Sequence, residues 1–456
     1  MKINTYEHLK SSGSAWLGDI PTHWGTKKLK FLATIQPSNV DKKTVEGEEP
    51  VILCNYTDVY KNEYIDSRLE FMQASATEAE IKKFKVDVGD VIVTKDSETP
   101  EDIAVPACIA EDVEGLVCGY HLTQIKPIDL HGRYLFRLFQ SKGFNAQFTV
   151  AANGVTRFGL PQHAIANAFT PLPPFEEQQT IARFLDFKTA QIDALIAKQQ
   201  ALLDKLAEKR TALISHAVTK GLDPSVPMQD SEVQWLGDIP AHWKTTRIKF
   251  VARVGNGSTP SRDKPDYWVD GFFPWLNSSV VNQEAVTESD QFVTDLALKE
   301  CHLPIIQPPA VLVGITGQGK TRGMASKLST IATINQHLAY IKPTTSDIRV
   351  DYLLFLFERA YSFLRSESDG GGSTKGAITC EQIANLEIPL PPASEQAAIE
   401  VYVADELEML RNMNQRVANV VEKLQEYRSA LITNAVTGKI DVRGFRVPHI
   451  DAEVAS

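Results

Sequence analysis

Two stretches of the chain place apolar residues at a seven-residue spacing. In the first, Leu185, Ile192, Leu206 and Leu213 hold one column, with Gln199 in the vacant place, and Leu195 and Leu202 lie three positions after Ile192 and Gln199. In the second, Val403, Leu410, Val417, Leu424 and Leu431 hold the column. No Gly or Pro interrupts either stretch, and sustained heptads of this kind predict a coiled coil. A Pro-Pro pair precedes each stretch, and Glu176 and Glu177 open the first. Proline is excluded from a helix interior and acids suit a helix N-terminus, so helices are predicted from near 175 and near 393. A helix of about 40 residues spans roughly 60 Å and needs a partner to cover its stripe. The other copy is the natural partner, as an antiparallel pair with a pseudo-two-fold. The alternative is that each helix packs on its own neighbouring block.

Between these stretches the pattern changes. Short β-like runs, VILCNYTDV, GDVIVTK, AVLVGIT and HLAYIKP, are bounded by Gly, Pro, Asn and Asp. Helical apolar stretches follow at 133–144 and 351–364. The fold class expected is α+β: two mixed α/β blocks separated by two long helices. The expected division is a first block with its N-terminal WLGDIP segment (1–170), a long helix (171–220), a linker with the second block (221–388), a second long helix (389–437) and a tail (438–456) that frays at its polar end.

The two halves repeat each other at their ends. WLGDIPTHW at 16–24 returns as WLGDIPAHW at 235–243, and PLPPFEEQQTI from Pro171 returns as PLPPASEQAAI from Pro389. LAEKRTALISHAVTKGLD at 206–223 matches LQEYRSALITNAVTGKID at 424–441. The middles, about 31–170 and 250–388, are nearly equal in length and little alike. A constant frame around a variable insert suits a device that reads two different things in one geometry; an old duplication that drifted is the plainer reading.

Composition changes the picture little. The net charge of −10 argues against nonspecific coating of nucleic acid but leaves room for a local basic groove. Five cysteines at irregular spacing suggest neither a disulfide framework nor a zinc site, and are read as reduced thiols. Neither a signal segment nor a membrane span is evident, so a cytoplasmic protein is expected.

Polar loop residues are the candidates for contact. In the first block these are Lys95, Asp96, Ser97, Thr99, Tyr120, His121, Thr156 and Arg157; in the second, Asn256, Ser258, Thr259, Ser261, Arg262, Asn277, Ser278, Gln318, Lys320, Arg322, Thr374 and Lys375. Asn, Gln, Arg and Lys are common readers of base edges. Each half also carries a hydroxyl followed by a cation in a Gly-containing loop, Thr156-Arg157 and Thr374-Lys375.

One enzymatic motif competes. Gly314 to Thr321 fits the phosphate-binding loop GxxxxGK[ST] after a strand-like AVLV. A helix should begin at Lys320, but the following residues include Gly323 and end β-branched, and the first half has no counterpart. Leu172-Pro173-Pro174-Phe175 is near the adenine-methyltransferase tetrad but has Leu where that tetrad holds the adenine amino group. No catalytic centre and no metal site is predicted. The competing functions are a nucleotide-binding protein using Gly314–Thr321 and a coiled-coil scaffold without a DNA role.

WLGDIPxHW, PLPPxxEQ and RxALIxxAVTxG, each present twice around heptad helices, resemble the specificity subunit of type I restriction–modification systems over the whole chain. The resemblance implies that each block is a target recognition domain reading one half of a split double-stranded DNA site. It implies that the helices set the spacing and dock two methylase subunits, with restriction/translocase subunits joining the full complex. S-adenosylmethionine, ATP and Mg2+ are then expected on those partners, with no cofactor, no catalytic residue and no membrane role in this chain.

Overall fold

The computed structural model describes residues 4–317, 319–369 and 376–448. Two compact units divide the chain, Met1–Gln200 with Ala418–Ser456, and Ala201–Val417. The division therefore runs through the middle of each long helix.

In the first unit a five-stranded sheet takes strands β1 (Ala33–Pro37), β2 (Tyr64–Ile65), β3 (Val91–Thr94), β4 (Pro106–Ile109) and β5 (Leu122–Pro127) in the order β1-β5-β3-β4-β2. Helix α1 (Gly132–Phe139) buries Tyr134, Leu135, Phe136 and Leu138 against it. The long helix α2 (Phe175–Lys220) follows. In the second unit β6 (Ala252–Asn256), β7 (Ala285–Val286), β8 (Ala310–Gly314), β9 (Ala325–Leu328) and β10 (Leu338–Pro343) take the order β6-β10-β8-β9-β7, the same topology strand for strand. Helix α3 (Val350–Asp369) and the long helix α4 (Ala393–Val436) complete it. Sequences that are little alike thus form one topology, with β3 and β8, buried along their whole length, at the centre of each sheet.

The core of the first unit joins Ile181, Leu185 and Ile192 of α2 to Leu431, Ile432, Ala435 and Val436 of α4. The core of the second joins Ile399 and Val403 of α4 to Ile214, Ala217 and Val218 of α2. In each unit the start of one long helix packs with the end of the other, which is the antiparallel pairing expected. Leu206 and Leu410 are buried, while Leu213, Val417 and Leu424 are half-buried. Leu195 and Leu202 depart from the heptad expectation: they are 47% and 39% exposed, so the seam is narrower than the sequence suggested.

The repeated motifs are the joints of this frame. Glu177 accepts from the Trp24 indole at 3.1 Å and from the Tyr6 hydroxyl, and contacts His23 Nε2 at 2.9 Å. Glu395 does the same for Trp243 at 2.9 Å and His242 at 2.7 Å. WLGDIPxHW and PLPPxxEQ are therefore two halves of one latch. Gln178 and Gln396 secure the next contact, accepting from the backbone N–H of His131 and Arg349, each at 2.9 Å. The helix ends close the joint. Gly438 has φ +70° and its missing Cβ would lie 2.2 Å from Pro21; Gly221, with φ +76°, abuts Trp243. Only glycine takes that left-handed turn at such close approach.

The first residues of the tail are part of the core. Ile440, Val442 and Phe445 are buried in the first unit, with Phe445 edge-on to Phe184 at 5.2 Å. The DAEVAS end lies outside the described residues.

Candidate nucleic-acid interface

Three separate loops of the first block converge. The strand Asp96–Ser97 pairs with Phe158–Gly159, Lys95 N–H donates to the His121 carbonyl at 3.0 Å, and Leu160 N–H donates to the Lys95 carbonyl at 2.7 Å. Residues scattered from 95 to 160 therefore form one surface. Asp96 lies at its centre: one oxygen meets His121 Nδ1 and the other accepts from Arg157 Nη2 at 2.5 Å. Lys95 Nζ lies 4.4 Å from the centre of the Tyr120 ring, which is 48% exposed and rests 4.1 Å from the His121 ring. Partial burial lowers the Lys95 pKa from its usual value, with Asp96 opposing. Arg157 keeps 60% of its side chain in solvent. The cleft beside these groups, about 390 Å³, is lined by Lys95, Asp96, Asn153, Gly159, Leu160 and Pro161.

The second block repeats the junction with other side chains. Ile315 N–H donates to the His337 carbonyl at 2.9 Å, and Ile378 N–H donates to the Ile315 carbonyl at 2.8 Å. His337 stands in the place of His121, directly before β10 as His121 stands before β5. Its Nδ1 meets the Thr316 hydroxyl at 2.6 Å and its Nε2 lies 3.1 Å from the Gln336 amide. Gln336 in turn accepts from Thr259 at 2.5 Å. Nearby in sequence, the Arg262 guanidinium lies 3.6 Å from the centre of the Trp268 ring and donates to Gln291 at 2.6 Å.

The structure sorts the sequence candidates. Lys95, Tyr120, His121 and Arg157 come together, with Thr99 and Thr156 exposed on the same loops. Ser97 is buried and accepts from Thr99 N–H at 3.2 Å, so it holds a turn. Asn277 accepts from Ser279 N–H at 2.9 Å as a helix cap. Arg322 is buried, which takes it off the surface. Asn256, Ser261 and Lys320 are exposed. Gln318, Thr374 and Lys375 lie outside the described residues. Sequence reasoning missed Gln336 and His337, although the shared HL before each IKP run marks the position in both halves. It also missed Val155, which is 92% exposed at a loop tip.

The phosphate-loop reading fails on geometry. After Lys320 comes a turn and then β9, not a helix, and the carbonyls of Gly319 and Lys320 accept from Arg365 at 2.7 Å and Tyr361 at 2.9 Å. A phosphate-binding loop of this motif presents its N–H groups at the start of a helix. No cluster able to hold a metal occurs among the described residues, and no helix among them is long and apolar enough to cross a membrane.

Comparison with known proteins adds to this geometry. The family model for the type I restriction modification DNA specificity domain matches twice, at residues 21–205 and 240–422. A protein assigned as the type I restriction enzyme MjaX specificity subunit of Methanocaldococcus jannaschii is 23% identical, over 94% of this chain and 96% of its own. A chain from a structure described as the basis of complex assembly and conformational transition of the type I R-M system superposes with a TM-score of 0.70 at 17% identity, over 91% of this chain and 98% of its own. The HsdS subunit from Thermoanaerobacter tengcongensis superposes at 0.51 and 17% identity, over 92% and 98%.

Proposed function

The chain belongs to the family of type I restriction modification DNA specificity proteins, and from that premise we propose that its two blocks read the two halves of a split double-stranded DNA site. One observation carries this reading. The same three-loop junction, with a histidine at the same place, recurs in both blocks and is dressed differently: Lys95, Tyr120, Asp96 and Arg157 in one, Ile315, Gln336, Thr316 and Thr259 in the other. A constant frame sets where the duplex lies, and the side chains on it decide which base edges are accepted.

In the first block Asp96 holds the two groups that face outward. Paired to both, it fixes the imidazole of His121 with Nδ1 toward the carboxylate and keeps Arg157 from wandering. Lys95 and Arg157 neutralise phosphate, and Tyr120 and Val155 offer flat or apolar contact. In the second block the described groups around His337 are neutral amides and hydroxyls, with Arg262 held flat on Trp268.

The chain carries the address and its partners carry the chemistry. Two methylase subunits would supply S-adenosylmethionine-dependent methyl transfer, and restriction/translocase subunits the ATP and Mg2+. Outward apolar residues on the long helices, Leu195, Val420 and Tyr427 in one unit and Leu202, Met409 and Met413 in the other, suit docking of the methylase subunits. Such a complex works on DNA in the cytoplasm, and basic partners would offset the net charge of −10. The test is to let the chain, assembled with its methylase subunits, select from random duplex DNA. Enrichment of two separated short segments is expected. A single continuous segment, or no enrichment, contradicts the reading.

A further inference from the structure

The two blocks are seated on their helices by different chemistry, position for position. Tyr134 and Tyr352 fix the comparison. Both are fully buried, and each hydroxyl reaches the same two carbonyls: Pro171 at 3.1 Å and Val436 at 3.3 Å, or Val218 at 3.1 Å and Pro389 at 3.4 Å. The same offset that matches these tyrosines matches Glu177 with Glu395 on the long helices.

At the next position inward, Arg137 of the first block corresponds to Phe355 of the second. Arg137 is 1% exposed. Its Nη2 donates to Asp186 at 3.0 Å and Thr189 at 3.0 Å on α2, and its Nη1 to Gln140 at 2.8 Å and Glu63 at 3.2 Å. Asp186 and Thr189 correspond to Ala404 and Leu407 on α4, and Phe355 is buried in the cluster against which Leu407 packs. A third pair reverses the polarity. Arg349 donates to Glu400 at 2.6 Å, and Glu400 also accepts from Tyr352 N–H at 3.0 Å. Their counterparts in the first unit are His131 and the buried Ala182.

Two positions on each block, 137/355 and 131/349, thus match three on the helix that follows it in sequence, 186/404, 189/407 and 182/400. The helix ends do not discriminate. Arg428 bonds Glu63 in one unit and Arg210 bonds Glu358 in the other, an arginine at the same place in both.

We propose that each block and the first half of the long helix after it, to about residue 200 and about residue 418, form one matched unit, so that a block is exchangeable only together with that helix segment. The first block fits a helix offering a carboxylate and a hydroxyl where Asp186 and Thr189 stand. The second fits a helix offering Glu400 and apolar residues after it. Placing the first block on α4 would put Ala404 and Leu407 where Asp186 and Thr189 stand, leaving the buried Arg137 guanidinium with only the block's own Glu63, Tyr64 and Gln140, and loss of one partner of a buried ion pair is destabilising. The exchange boundary then lies inside the helix and not at the Pro-Pro junction where sequence similarity resumes.

The test uses the full chain and reads stability, so it stands apart from what the blocks bind. D186A/T189L and, separately, R137F should each lower the first unit's unfolding midpoint by about 10 °C. The triple variant R137F/D186A/T189L, which installs the second unit's chemistry, should recover at least half of that loss. Unchanged midpoints in the first two, or losses that add in the third, overturn the proposal. Two chimeras give an independent reading: residues 250–388 in place of 31–170, and residues 250–417 in place of 31–199. The second should resist proteolysis at the first position and the first should not. Equal behaviour of the two chimeras, high or low, also overturns it.

Discussion

The latch residues and the block seats treat the duplication in opposite ways. Glu177 and Glu395 grip the same Trp and His of the same motif. Arg137 and Phe355, at matching places beside those latches, share no chemistry at all. A joint that must only hold can keep one solution. A seat that must fit a changing block changes with it, and the loops beyond the seat change further still. Repetition in this chain marks geometry, and divergence marks what is read.

The latches also differ in depth, which gives the largest expected effect. The Glu177 side chain is 6% exposed and Glu395 39%. Glu177→Ala strips the acceptor from the buried Trp24 and Tyr6, and should cost about 3 kcal/mol, read as a shift in the denaturant midpoint. Glu395→Ala should cost about 1 kcal/mol, since water can replace the lost carboxylate. Equal losses would break the claim that the first latch is the deeper one.

The two reading surfaces should separate next. K95A/R157A removes two cations and should weaken binding to one half-site on the order of 30-fold, with the log–log salt slope falling by about 2. H337A should leave that slope unchanged and lower preference at the other half-site. Titrating each variant against DNA carrying one intact half-site measures both.

Much of this was legible before any coordinates. The heptads, the helix starts and the paired motifs gave the frame, because a repeated motif fixes its own counterpart. The convergence of Lys95, Tyr120, His121 and Arg157 was not legible, since strand pairing across about 60 residues brings them together. Leu195 and Leu202 obeyed the heptad yet lie outside the seam, because periodicity specifies a stripe and not its width. Ser97 and Asn277 looked like readers because turn-making residues and base-reading residues are the same polar types. His337 was overlooked because its meaning depends on its equivalence to His121.

A smaller effect concerns Lys320. Lys320→Ala should leave ATP binding absent and change affinity at one half-site by at most about threefold, as expected for one exposed cation. Equilibrium dialysis with ATP checks the first part; nucleotide binding lost on substitution would revive the phosphate-loop reading.

The smallest is a pH effect confined to one unit. Loss of water around His131, and then the nearby Arg133, lowers its pKa below the ordinary value. The native state holds it neutral while the unfolded chain takes a proton near pH 6.5. Its contribution is therefore full above about pH 6.5 and is lost as pH falls below it. Arg349 fills this place in the second unit. The first unit's midpoint should fall on acidification through this range, and His131→Asn should flatten that fall.

The central claim is that one frame presents two independent readers, and DNA selection with a one-sided variant tests it most directly. The K95A/H121A/R157A chain, assembled with its methylase subunits, is offered random duplex DNA beside the unaltered chain. The account predicts that one half of the split site loses its sequence preference while the other half and the spacing stay the same. Loss of both halves together, or retention of both, would contradict it.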